Sequence, residues 1–149
     1  MQPKVPESVL RFLAAHGNDE VRRLVVERDD TPVDVLRELA RDKDRTVRTV
    51  VAANILTPPE VLERLGVDGN VWVRRAVAEN PKSPAGVLRR LVKDPFFETR
   101  LKLAENPNTP VGILKQLLNE DFQPLVKKAA ADNLDGRFYF DDDVSAPPS

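Results

Sequence analysis

Prolines stand 26 residues apart at Pro6, Pro32, Pro58, Pro84 and Pro110. Neither a helix interior nor a central strand accommodates proline, because its ring removes a backbone donor and clashes with the preceding turn. Any regular fold for this chain is therefore divided into short units of one length. The same register carries three aliphatic columns: Leu10, Leu36, Leu62, Leu88 and Leu114; Leu13, Leu39, Leu65, Leu91 and Leu117; and Val9, Val35, Val61, Val87 and Ile113. All fifteen cells are aliphatic, with no insertion or deletion between them. A fixed period of this length is the mark of a repeat architecture.

Each unit divides into two segments. The first opens at Thr31-Pro32, Thr57-Pro58, Ser83-Pro84 or Thr109-Pro110. There the Ser/Thr oxygen is expected to cap the helix and proline to occupy its first position. Asp34 and Glu60 complete a capping-box spacing in two units. Apolar residues at i, i+1 and i+4 define one helical face, giving helix A. The second segment starts at Asn18, Asp44 and Asn70, expected N-caps, and continues through Val21, Val47 and Val73, then Val25, Val51 and Val77. A column of small residues follows at Ala52, Ala78, Ala104 and Ala130. This helix B is expected to stop at Asn54, Asn80 and Asn106, where asparagine tolerates a left-handed turn, with Pro81 and Pro107 forbidding continuation.

One segment of each unit is either α or 3₁₀, since 26 residues leave little room for two full helices. Helices this short are marginal alone in water and bury their aliphatic faces only against the next unit. The expectation is an all-α superhelical solenoid of five units over residues 1–134. Asn133-Leu134-Asp135-Gly136 replaces the usual Asn-Pro and Thr-Pro signals and reads as its end.

The stretches VRRAVAENPKSP (Val73 to Pro84), RLKLAENPNTP (Arg100 to Pro110) and VRTVVAANILTP (Val47 to Pro58) resemble the leucine-rich repeat variant family, a group of HEAT-like helical solenoids. The resemblance extends over all five units. It implies a right-handed superhelix of alternating α and 3₁₀ helices without β-strand. Members of the family can carry a cysteine-bound iron–sulfur module before their repeats; this chain has no cysteine, so that feature is not carried over.

Composition narrows the chemistry. The chain lacks the thiolates of a disulfide, a metal site or a cysteine nucleophile, and its single His16 cannot supply a multi-histidine site. It shows no Ser-His-Asp arrangement and no glycine-rich phosphate loop. Neither a catalytic constellation, a metal nor a cofactor is expected. MQPKVPESVL lacks the apolar core of a signal peptide and no apolar run reaches membrane-spanning length, so a cytoplasmic protein is expected, monomeric by default and without membrane attachment.

Four sets of residues are candidates for function. Arginines recur at Arg22, Arg48, Arg74 and Arg100, each six residues after His16, Asp42, Asp68 or Asp94. The pairs Asp42/Arg48, Asp68/Arg74 and Asp94/Arg100 resemble the Asp–Arg ladder that links HEAT repeats. In one reading each arginine forks to oxygens of an adjacent unit; in the other it faces phosphates. A second basic column, Arg11, Arg37, Arg89 and Lys115, broken by Glu63, is a possible anion or nucleic-acid contact, with Arg23, Arg75, Lys127 and Lys128 nearby. Interleaved Glu7, Glu38, Glu60, Glu79 and Glu105, and a net charge of only +2 over residues 1–134, weigh against nucleic acid. Trp72, Phe96, Phe97 and Phe122 fall between helices A and B in units three to five. They are either rim anchors for a partner or covers over the core. Last, residues 135–149 form an acidic, aromatic tail. Phe138, Tyr139 and Phe140 are expected to cap the last unit, a linear motif or docking onto the basic columns being the other readings, and the residues from Ser145 onward are expected to be disordered. The leading functional expectation is a non-enzymatic scaffold for another protein or peptide; the second is a HEAT-like nucleic-acid binder.

Overall fold

The computed structural model describes residues 2–145, with side chains as far as Arg137. The described residues form ten α-helices: α1 Glu7–His16, α2 Asp19–Val26, α3 Val33–Leu39, α4 Arg45–Ala53, α5 Pro59–Leu65, α6 Val71–Glu79, α7 Ala85–Leu91, α8 Phe97–Glu105, α9 Val111–Glu120 and α10 Pro124–Ser145. Odd-numbered helices are the A segments and even-numbered ones the B segments. None of the described residues lies in a strand or a separate 3₁₀ helix. The tighter i→i−3 pattern survives only at helix ends, as where Arg41 N and Asp42 N donate to Glu38 O and Leu39 O.

The leucine columns build the core. Leu36, Leu62, Leu88 and Leu114 are fully buried, and Leu39, Leu65, Leu91 and Leu117 nearly so. The valine column explains the order of stacking. Gly66, at the end of α5, lies so close to the next unit that a Cβ there would stand 2.0 Å from Val87 Cγ2. Val87 thus packs on the unit before it. Val9 has the same register, is covered by no earlier unit among the described residues, and is exposed. Neighbouring B helices pack on one another more extensively than neighbouring A helices do. Val51, Val77, Leu103 and Ala130 fill one buried column between B helices.

Several local expectations are corrected. The Ser/Thr before each proline does not cap helix A. Pro32, Pro58, Pro84 and Pro110 are themselves the N-cap residues, without a side-chain cap. The hydroxyls turn back instead: Thr31 donates to Val25 O, Thr57 to Val51 O at 2.6 Å, Ser83 to Val77 O at 2.6 Å and Thr109 to Leu103 O at 2.7 Å. They close the previous B helix by giving a last-turn carbonyl a second donor beside the backbone N–H it already accepts. Asp34 and Glu60 are likewise not capping-box partners; they pair with Arg11 and Arg37 of the preceding unit.

Asn54, Asn80 and Asn106 do end the B helices, but in extended backbone with φ of −74°, −68° and −67°. Their side chains, not left-handed turns, are the reason for asparagine. Asn80 Nδ2 donates to Ala52 O at 2.8 Å and Asn54 O at 3.1 Å in the preceding unit, while its Oδ1 accepts from Lys82 N at 2.9 Å. Asn106 repeats this with Ala78 O, Asn80 O and Asn108 N, and Asn133 donates to Ala104 O and Asn106 O. An amide can donate twice and accept once in this way, which an aspartate cannot.

The fifth unit contains one extra residue. Asn133 follows Asn106 by 27 positions, and Ala130 occupies the Leu103 column instead of the Ala104 column. The insertion lengthens α9 to 10 residues. It also changes the end of the chain. No proline follows Asn133, so α10 runs straight through residues 134–136, where the sequence suggests a boundary, and reaches Ser145. The expected cover by Phe138, Tyr139 and Phe140 lies outside the described side chains. The expected disorder concerns residues 146–149, outside the described residues, apart from Ser145, which ends α10.

Candidate functional site

The arginine column is engaged between units. Arg22 donates through Nε and Nη2 to Asp42 at 2.7 and 2.9 Å, and Arg48, Arg74 and Arg100 fork to Asp68, Asp94 and Asp121 with Nε contacts of 2.7–2.8 Å. Each Nη1 also reaches a carbonyl of its own unit: Gly17 O, Asp42 O, Asp68 O and Asp94 O. The acid six residues upstream therefore lends its backbone, while its carboxylate serves the arginine of the unit before. In the fifth unit the acid is Asp121 rather than Glu120, a consequence of the inserted residue. The same shift puts Val126 in the buried Val47, Val73 and Thr99 column and Lys127 opposite the arginines.

The rungs are shielded from water. Asp94 and Asp121 side chains are only 2% and 3% exposed. Burial pushes the Asp42 carboxyl up, but the Arg22 fork and the Asp44 N–H outweigh it and hold it below the usual carboxylate range. The hydrogen bonds to Asp42 and Asp68 likewise raise Arg22 and Arg48 above their ordinary values.

The second basic column splits. Arg11 pairs with Asp34, and Arg37 donates to Glu60 at 2.8 and 3.0 Å. Arg89 and Lys115 make no ion pair with any described residue. The register explains Arg89: Gly112 stands where Asp34 and Glu60 stand in earlier units. Half of this column is thus neutralised by the unit that follows.

The aromatics do not form one edge. Trp72 lies within α6, 53% exposed, with the Arg75 guanidinium 5.3 Å from its ring centre. Phe96 precedes α8, is 49% exposed and lies near Arg74, at 5.8 Å. Phe97, the first residue of α8, turns inward and packs against the core. Phe122 is 95% exposed beside a cleft of about 260 Å³ lined by Val92, Lys93, Arg100 and Leu117. Trp72 lines a different groove, of about 470 Å³, on the B layer.

That groove contains residues the repeat columns conceal. Its walls are Arg23 of α2, Arg45, Thr46, Thr49 and Val50 of α4, and Trp72 of α6. Arg45 belongs to a mixed register of Asp19, Val71 and Phe97, so no periodic pattern singles it out. Arg23, Arg45 and Arg75 form no ion pair among the described residues, and Arg23 Nε is buried without a hydrogen-bond partner.

Stacked two-helix units, tied by side-chain ladders and offering one open helical face, define a helical repeat solenoid. The family model for leucine rich repeat variant matches residues 19–44 and 71–96. A solved structure described as a leucine-rich repeat variant with a novel repetitive protein structural motif is similar at a TM-score of 0.69 and 32% identity. This chain is accordingly a helical repeat protein with leucine rich repeat variant repeats, similar in fold to that structure. The similarity covers 87% of this chain and 52% of that one, so the chain spans about half the length of the structure it matches. No curated protein matches. Among the described residues no helix is long and apolar enough to cross a membrane.

Proposed function

We propose that the chain is a non-enzymatic protein-interaction scaffold, and that Trp72 on the B layer is its principal anchor, with Phe96 and Phe122 as outlying contacts. One observation carries the reading: the only tryptophan of the chain stands half exposed on an open helical face beside arginines that no carboxylate among the described residues neutralises. Large aromatics and arginines are the side chains around which interface energy concentrates. Phe97 leaves the set of anchors because it packs against the core. The nucleic-acid reading loses its main support, since the Arg22-to-Arg100 column is spent between units and Arg11 and Arg37 are paired.

The test is capture from nuclease-treated lysate of the source cells by the immobilised chain. The scaffold reading expects a defined protein band that Trp72→Ala removes while far-UV CD and thermal midpoint stay unchanged. A band that survives Trp72→Ala refutes the anchor. Nucleic acid retained from untreated lysate, without any protein band, refutes the scaffold.

A further inference from the structure

Resting on the scaffold reading, we infer that the groove at Trp72 receives an acidic peptide, taken up by the three unpaired arginines of the first three B helices. Arg23 of α2 and Arg45 of α4 line the groove, and Arg75 of α6 lies over the ring of Trp72 at its wall, so three successive units each bring one cation to it. Their neighbours in sequence, Arg22, Arg48 and Arg74, are locked to aspartates, which makes the absence of carboxylates here a contrast within the same helices. Arg23 keeps an unused Nε–H, so its guanidinium has donor capacity that no described group meets.

The groove floor discriminates among anions. Thr49 already donates its hydroxyl to Arg45 O at 2.7 Å, and the Thr46 hydroxyl is taken by Asp44. Both hydroxyl protons are thus spent within the chain, and the rest of the lining is Val50 and the Trp72 ring. The free donors of the groove are therefore cationic, beside an apolar surface. A segment alternating carboxylates with apolar side chains matches both: its acids pair with the arginine forks, and its apolar groups lie on Val50 and Trp72. The opposite end of the same face favours a peptide over a polyphosphate backbone. Glu27, Glu79 and Glu105 stand at the C-terminal ends of α2, α6 and α8; Lys102 is shared by the latter two at 3.5 and 3.4 Å, which leaves an excess of carboxylates that disfavours a long uniformly anionic strand along the stack.

Trp72, being the single tryptophan, reports occupancy directly through its emission. The full chain is titrated with a synthetic peptide of alternating glutamate and leucine, with its lysine counterpart, and with single-stranded oligonucleotides. The expected result is saturable change with the acidic peptide alone, weakening steeply as salt rises. The triple variant Arg23→Gln/Arg45→Gln/Arg75→Gln loses at least 10-fold in affinity, whereas Arg89→Gln/Lys115→Gln does not. No change up to millimolar peptide overturns the inference, as does equal loss in both variants or tighter binding of the oligonucleotide. Its failure is separable from that of the scaffold. If lysate capture survives the triple variant yet is lost with Trp72→Ala, the scaffold stands and the acidic partner falls.

Discussion

Replacing Asn80 by alanine tests how the units are joined. The Asn80 side chain is buried and makes three hydrogen bonds: two to Ala52 O and Asn54 O of the unit before, one from Lys82 N of its own turn. A net intramolecular hydrogen bond contributes about 1 kcal/mol, and a buried group left unpaired costs more. The expected loss is therefore about 2–4 kcal/mol. Asn54 is less buried and donates once, to Val26 O at 2.7 Å, while accepting from Leu56 N at 2.8 Å. Its replacement should cost about 1–2 kcal/mol on the same principle. Aspartate at position 80 keeps the Lys82 bond but turns an acceptor toward two carbonyl oxygens, and should be worse than alanine. Urea unfolding followed by far-UV CD measures all three, the midpoint being the safer comparison because stacked repeats can unfold in parts. An Asn80→Ala variant within about 0.5 kcal/mol of the parent, the range of an unremarkable surface change, would refute the asparagine ladder as a joint. So would equal effects at positions 54 and 80.

Other consequences follow from the same contacts. Asp94→Ala leaves the Arg74 guanidinium without its shielded carboxylate and should cost about 3 kcal/mol, as broken buried pairs do, whereas Asp34→Ala at the exposed Arg11 pair should leave the urea midpoint unchanged. Thr99 places a buried hydroxyl without a partner in the column otherwise filled by Val47, Val73 and Val126. Thr99→Val should accordingly raise stability by about 1 kcal/mol, read as a higher urea midpoint. Acid should unfold the stack through its carboxylates. The Arg28 side chain, with the Val5 N–H, holds Asp30 down at about 2 from 3.8, and the shielded Asp42 is also held low. Groups depressed in the folded state stabilise it fully above their unfolded values and lose that contribution as pH falls through the folded ones. Thermal midpoints should hold above about pH 5 and decline from about 4 toward 2; a flat profile there would contradict the ladder.

The sequence exposed the architecture because the leucine and valine columns answer to a single physical demand, burial against the next unit. The roles of Thr57, Ser83 and Asn80 were misread because local capping rules and inter-unit bonding select the same residue types. A Ser or Thr before proline suits an N-cap, yet here its hydroxyl turns back to the finished helix. The insertion in the fifth unit is hard to see in the sequence because the 26-residue register places Val126 after Arg100, which reads equally as the end of the arginine column or as a shift that moves Lys127 into it. The groove at Trp72 was only half legible. Trp72, Arg23 and Arg75 stood out by residue type, while Arg45 has no counterpart in other units, and its place beside Trp72 emerges only once α4 and α6 are stacked. Exposure was not legible: Phe96 and Phe97 are adjacent, and the start of α8 turns one outward and the other toward the core.

Hydrogen exchange of the chain with and without its captured partner tests the central claim, that the open B layer rather than the A layer is the recognition surface. The account predicts new protection confined to the amides of α2, α4 and α6 around Trp72. Protection concentrated on α3, α7 and α9, which carry Arg37, Arg89 and Lys115, would contradict it.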